Sequence, residues 1–430
     1  MLTLEFVQSL RQQFPALARR QNDQPVVYLD GPAGTQVPRR VIDAIADYLS
    51  HRNANHGGLF ATSRESDAML DEAHRAFADL LGADDPDCVY FGPNMTTLTF
   101  ALSRAVATTW RPGDEIIVTR LDHDANVTPW VLAARDADVK VRYAEIHRED
   151  CTLDVDHLRS LLNERTRLVA VGAASNSSGS INPIREIASW AHAVGAWMFV
   201  DAVHYAPHAL IDVAEIGCDF LACSAYKFFG PQVGMLWGRL ERLEALTAYK
   251  LRPAPQHSPG KWMTGTPNFA AIAGVVAAID YIASIGQRLE NDSKSEGQSV
   301  QLSRRDAIRH AFAAIDVYER ELLERLIAGL QAIEGVTVYG ITDPARFSQR
   351  VPTVACTLVG LPATQVAKAL GDQGIFCWDG NYYAVDICRV LGQSEQGMVR
   401  LGILHTTTAQ EIDRTLAAIA RLQQSASVGS

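Results

Sequence analysis

Between about residues 88 and 240, short apolar runs alternate with stretches in which apolar residues recur every three or four positions. The runs "CVYFG" (88–92), "EIIVT" (115–119), "VKVRYAEI" (139–146), "RLVAVG" (167–172) and "AWMFVD" (196–201) read as strands, as does Phe220 to Cys223. After the first run, "TTLTFALSRAV" sets Leu98, Ala101, Leu102, Ala105 and Val106 at helical spacing. Helical segments lie between most of the other runs. This rhythm predicts an α/β fold, a mostly parallel sheet with helices on both faces. In such sheets, sites lie beyond the carboxyl ends of the strands.

The flanks read differently. "MLTLEFVQSLRQQF" has the pattern of an amphipathic helix. Residues 286–305, "GQRLENDSKSEGQSVQLSRR", are polar without a core pattern and predict a linker or exposed insertion. A long helical pattern follows, then "VPTVACTLVG" as a strand and "TTTAQEIDRTLAAIARL" as a closing helix. Thr408 and Glu411 have capping-box spacing, and Ile412, Leu416 and Ile419 supply a buried face. The expected division is a large α/β domain over 20–285 and a smaller α+β domain over 286–430, joined by the N-terminal helix 1–19.

Composition narrows the function classes. The chain has 430 residues, 47% of them hydrophobic, with room for a large core. A net charge of −10 with no basic block argues against nucleic acid and anionic membrane surfaces as partners. No run approaches 18 apolar residues, so no membrane span is expected. The start lacks a basic segment followed by an apolar one, so secretion is not expected. The cysteines, Cys88, Cys151, Cys218, Cys223, Cys356, Cys377 and Cys388, are scattered and form no C-x-x-C pair. That usage suits a reduced cytoplasm and predicts no structural metal site.

One lysine is out of place. Lys227 sits inside "CDFLACSAYKFFGPQVG", after a strand and before the turn Gly230-Pro231. It reads either as a lysine whose stem covers apolar surface, or as a partly desolvated amine able to form a Schiff base. Pyridoxal phosphate would need such an amine, a carboxylate for its ring nitrogen, a donor-rich phosphate cradle and a flat ring for stacking. Candidates for each follow strand ends. Asp201 ends "AWMFVD", Thr96 and Thr97 open a helix, and Ser224 lies just before Lys227. His123 follows "EIIVT", Asn176 follows "RLVAVG" and His204 follows "AWMFVD". Taken singly, each also reads as a cap, a turn residue or a satisfied core group.

With these residues in this order, and with "DAVH", "SAYK" and "GTPN", the sequence resembles class V aminotransferases. The group includes SufS-type cysteine desulfurases and isopenicillin N epimerase-like enzymes, and the likeness runs from "VVYLDGPAGTQVPRRVIDAI" to "VRLGILHTTTAQEID". The resemblance implies fold type I, with a mixed seven-stranded sheet in the large domain, and a homodimer. It implies Lys227 as the Schiff-base lysine, Asp201 as partner of the pyridine nitrogen and His123 as the stacking ring. Asn176 and His204 would lie near the ring hydroxyl and substrate. Thr96 and Ser224, with the backbone of Met95, would hold the phosphate. Thr266 would reach the phosphate of a neighbouring subunit, and Arg400 would clamp an α-carboxylate.

Two departures bear on the reaction. Tyr226 stands where the family has a histidine before the lysine. In "GIFCWDGNYYAVDICRV", Tyr383 falls where desulfurases carry their nucleophilic cysteine; Cys377 comes earlier and Cys388 later. The expected function is a pyridoxal-phosphate enzyme on a small α-amino acid, desulfurase-like in cleaving C–S bonds or eliminating at Cβ. Transamination or epimerisation, and a non-catalytic pyridoxal-phosphate-binding protein, are the alternatives; the sequence names no sulfur acceptor.

Overall fold

The computed structural model describes residues 2–294 and 300–429. Its central sheet has seven strands: β1 Val89–Gly92, β2 Glu115–Thr119, β3 Lys140–Ala144, β4 Thr166–Gly172, β5 Trp197–Asp201, β6 Phe220–Ser224 and β7 Gly234–Gly238. They lie in the order β1-β7-β6-β5-β4-β2-β3. Neighbours from β6 to β3 pair in parallel, whereas β7 runs antiparallel to both β6 and β1. Strand β7 is the one member that periodicity left out. Its sequence "GMLWG" is too short and glycine-bounded to stand out, and its position next to β1 is a tertiary choice.

Both faces of the sheet are covered, which explains the uninterrupted apolar runs. Ile117, Val169, Val171, Met198, Val200 and Leu221 point into one core with Phe77, Ile187 and Ile282. Their chain neighbours Ile116, Val118, Leu168, Ala170, Phe199 and Phe220 point into a second core with Leu98, Leu102 and Trp130. This is the two-residue alternation of a strand buried on both sides.

A second, antiparallel sheet comprises β8 Val336–Tyr339, β9 Thr353–Leu358, β10 Trp378–Gly380 and β11 Met398–Gly402, in the order β8-β9-β11-β10. The closing helix Ala409–Gly429 starts with the expected capping box: Thr408 N–H donates to Glu411 Oε2 (2.8 Å), and Glu411 N–H to Thr408 Oγ1 (3.3 Å). The N-terminal helix Leu4–Arg11 docks there, Arg11 donating to both Glu411 oxygens at 2.8 and 2.9 Å.

The polar stretch expected as a linker over 286–305 is helical at both ends. The helix Phe269–Asp292 runs through its start and Arg304–Gln331 begins before its end, while residues 295–299 lie outside the described residues. These two helices pack so closely at Gly286 that an added Cβ would lie 1.8 Å from the Ala307 carbonyl oxygen. The expectation about apolar runs also needs correction. Phe269–Asp292 is long and apolar enough to cross a membrane, but 78% of its most apolar window is buried inside the protein. It is apolar all round because it is packed all round.

Candidate active site

The carboxyl ends of β2, β4, β5 and β6 open into a cavity of about 1210 Å³, closed on the other side by β10 and β11. Lys227, Asp201, His123 and Asn176 line it, as do His204, Ser224, Met95, Thr96 and Arg400. Residues spread over more than three hundred positions of sequence thus share one site. Thr266 is the exception: it is exposed in the loop before Phe269 and does not line this chain's own cavity.

Lys227 ends a one-turn 3₁₀ segment, Ala225–Lys227, that follows β6 directly. Its Nζ donates to the Pro32 carbonyl and lies 4.9 Å from the centre of the Tyr226 ring. Burial, and then the positive charge of Arg400, push its pKa down to about 7, against the opposing pull of Asp201. Near neutrality a large share of this amine is therefore unprotonated.

Asp201 closes β5 and accepts the Val203 N–H at 2.9 Å. Burial raises it to about 6, opposed by that hydrogen bond and by Lys227. A second buried carboxyl, Asp122, accepts the Gly172 N–H (2.7 Å) and the Asn126 amide (3.3 Å). Burial first, and the Asp201 charge second, raise Asp122 to about 8. The two environments separate the pair. Near pH 7, Asp122 keeps its proton and Asp201 is the carboxylate that faces the cavity.

His123 caps a short turn: its Nδ1 accepts the Ala125 N–H at 3.0 Å, which leaves the ring proton on Nε2. Burial, then Lys227 and Arg400, push it down to about 4, so it is a neutral flat ring. His204 shares a hydrogen bond of 3.0 Å with Thr353 Oγ1, and burial holds it well below the usual histidine range. Asn176 donates to the Tyr382 carbonyl (2.9 Å), while its Oδ1 is buried without a partner.

At the other end of the cavity, Asn94 caps the helix Met95–Ala107 by accepting the Thr97 N–H at 2.8 Å. The Met95 N–H, expected to face a phosphate, donates instead to Ser224 Oγ at 3.0 Å. That leaves the Ser224 hydroxyl its own proton to offer an anion. Thr96 remains exposed to the cavity.

Arg400 comes from β11. Its Nη1 donates to the Asn176 carbonyl at 2.8 Å, its guanidinium lies 4.3 Å from the centre of the Tyr382 ring, and its Nε is buried without a partner. An arginine held by its edge with donor capacity to spare suits a carboxylate.

The cysteines are elsewhere. Among the described residues, none lines the cavity. Cys388 is buried behind Tyr382 in the helix Val385–Val390, and burial pushes its thiol up to about 11. Cys377 is pushed up to about 12 by burial and then Asp379. Both are thiols rather than thiolates near neutral pH.

Pyridoxal phosphate fits this residue set. The unpartnered Asn176 Oδ1 would be free to take its ring hydroxyl, the Ser224 hydroxyl and the helix start would hold its phosphate, and amine, carboxylate and flat ring are present in one cavity. Sequence reasoning missed Asp122, Pro32, Tyr382 and Trp378. Asp122 directly precedes His123, a usable signal; the other three enter the site only through long-range packing.

The architecture is that of pyridoxal-phosphate-dependent enzymes of fold type I. The chain belongs to the class V aminotransferase family: the family model Aminotransferase class-V matches residues 27–306 and 303–415. It is 30% identical to a cysteine desulfurase of Pectobacterium carotovorum subsp. carotovorum, over 97% of this chain and 98% of the relative. It is 32% identical to the aminotransferase-like protein FGM3 of Gibberella zeae, over 96% and 97%. The crystal structure of the cysteine desulfurase CsdA (S-sulfonic acid) from Escherichia coli superposes with a TM-score of 0.81, at 25% identity over 97% of this chain and 98% of that one. The protein is thus a pyridoxal-phosphate-dependent enzyme of cysteine desulfurase-like build.

Proposed function

We propose that this enzyme is a C–S lyase acting on an α-amino acid that carries sulfur on Cβ, and that it eliminates the sulfur rather than accepting it on a cysteine. The observation that carries the reading is an amine of lowered pKa, Lys227, in one cavity with Asp201 and Arg400 but with no thiol among the described lining residues. Pyridoxal phosphate, when bound, supplies a carbonyl for the substrate amine and withdraws electrons from Cα.

The protein's own groups do the rest. Lys227 holds the cofactor and, once free, takes the Cα proton, which its neutral form near pH 7 allows. Asp201 keeps a proton on the ring nitrogen. His123 covers a ring face as a neutral imidazole and excludes water there. Arg400 binds the carboxylate through donors that lack a protein partner, with Asn176 and Tyr382 fixing its plane. Thr96 and Ser224 hold the phosphate.

Capture of sulfur as a persulfide needs a thiolate within reach of the substrate sulfur. Elimination needs none: the Cα–H and Cβ–S bonds break, and sulfur leaves with its electron pair. Cysteine plus water then yields sulfide, pyruvate and ammonia in balance. Exposed Thr266, absent from its own chain's cavity, supports a homodimer in which it reaches the phosphate of the other subunit. The unpaired cysteines support a reducing, cytoplasmic setting.

The test is an anaerobic assay of the holoenzyme with cysteine, cysteine sulfinate, selenocysteine and alanine, following sulfide, pyruvate, alanine and the cofactor spectrum. Sulfide with pyruvate is expected. Alanine in place of pyruvate would mean desulfuration through an acceptor. Conversion of the cofactor to its amine form without sulfide would make the protein an aminotransferase, inversion at Cα an epimerase, and an unchanging spectrum a binding protein.

A further inference from the structure

The cavity wall around Arg400 is aromatic and open. Trp378 on β10 is the cross-strand partner of Arg400 on β11, so the two side chains share one face of the small sheet. Trp378 is 51% exposed and Tyr383 70% exposed, and both line the cavity. Tyr383 stacks on His123, with ring centres 5.5 Å apart and planes 24° from parallel. The same loop places Tyr382 against the Arg400 guanidinium.

This wall is built, not incidental. Tyr382 and Tyr383 are both left-handed, at φ of +55° and +59°. Consecutive bulky residues with positive φ persist only where surrounding contacts over-determine them, and such strain concentrates at functional sites. The contacts are present: Asn176 donates to the Tyr382 carbonyl at 2.9 Å, Asp124 N–H to the Tyr383 carbonyl at 2.7 Å, and Tyr383 N–H to Asn381 Oδ1 at 3.0 Å. Two of the three come from segments that follow the carboxyl ends of β2 and β4, so the backbone that carries the two rings is held before any substrate arrives.

We propose that the substrate sulfur carries an aromatic or similarly flat apolar substituent, which packs between Trp378 and Tyr383 while Arg400 holds the carboxylate. This rests on the C–S lyase reading above and names the substrate class for that site. The step stays balanced: the Cα proton goes to Lys227, the Cβ–S bond breaks, and the sulfur departs with its electron pair and is protonated to a thiol. Water hydrolyses the released enamine to pyruvate and ammonia. No oxidant, reductant or sulfur acceptor is needed, in keeping with the absence of the half-buried Cys377 and the buried Cys388 from the cavity lining.

The experiment compares S-benzyl-L-cysteine with L-cysteine on the holoenzyme, by pyruvate and thiol release. The expected kcat/KM preference for the benzyl compound is at least about tenfold. Trp378→Ala and Tyr383→Ala should each lower the ratio of the two kcat/KM values by roughly tenfold, the scale of a lost ring-on-ring contact. A readout free of chemistry accompanies this: calorimetric binding of 3-(benzylthio)propanoate, which has the carboxylate but no amine, should weaken relative to 3-mercaptopropanoate in both variants. A preference for cysteine, or a ratio unmoved by both substitutions, overturns the proposal and leaves the lyase reading standing. If neither compound yields pyruvate or thiol, both fail together.

Discussion

Burying an amine that must also react carries a stability cost, and the variant Lys227→Met exposes it. The folded-state pKa of Lys227 is about 7, against about 10.4 for a free lysine. The unfolded chain therefore binds more protons across that window, and burial of the amine weakens the fold most below pH 7. Linkage over this interval gives about 4 kcal/mol at pH 7, falling to about 1.4 kcal/mol at pH 9.5 and vanishing above the unfolded value. Methionine keeps the unbranched stem and removes the charge. It also loses the hydrogen bond to the Pro32 carbonyl, worth about 1 kcal/mol. The cofactor-free variant should thus be more stable than wild type by about 3 kcal/mol at pH 7, with little gain left at pH 9.5. Thermal unfolding of the two cofactor-free proteins at both pH values measures this as a Tm gap of several degrees that closes with rising pH. A variant no more stable at pH 7, or a gap that does not close, would refute the account of Lys227 as an amine kept neutral by burial. The same variant should be inactive and lose the absorbance of lysine-bound cofactor.

Three further outcomes follow from the site. Asp201→Asn should leave cofactor capture by Lys227 intact and lower turnover by at least about a hundredfold, because the charge opposite the ring nitrogen is lost; near-normal turnover would overturn that role. The double variant Cys377→Ala with Cys388→Ala should still cleave C–S bonds, since both thiols lie outside the cavity lining and are held protonated; loss of thiol or sulfide release in a folded protein would restore a persulfide route. Gly172→Ala places a Cβ 2.5 Å from Asp122 Oδ1, so it should cost roughly 1–3 kcal/mol and shift the pH profile of turnover. Unchanged stability and profile would sink the Asp122–Asp201 proton assignment.

Much of the site was legible because its residues are local sequels to strands. Asp201, Ser224, Lys227, His123 and Asn176 each follow an apolar run directly, and a parallel sheet brings such positions to one edge. The six strands that periodicity marked in the central sheet all form, because a strand buried on both faces needs continuous apolar sequence. The capping box at Thr408 was visible for the same reason: both partners lie within one turn.

What local pattern does not contain is who meets whom across the chain. The insertion of β7 between β1 and β6, the docking of Arg400 on Asn176, and the placing of Trp378 opposite Arg400 all join residues far apart in sequence. Proton positions are likewise tertiary: Asp122 and Asp201 are the same residue type, but burial and then the Asp201 charge raise Asp122 to about 8, whereas burial opposed by the Val203 N–H and Lys227 sets Asp201 to about 6. The sequence by itself determined the alternation of elements and the candidates at the strand ends, because backbone sterics and the burial of apolar faces act over a few residues. The tertiary structure decided which candidates share a cavity, which of them carry charge and that no cysteine stands among its described lining residues, because packing and dielectric depend on the whole fold.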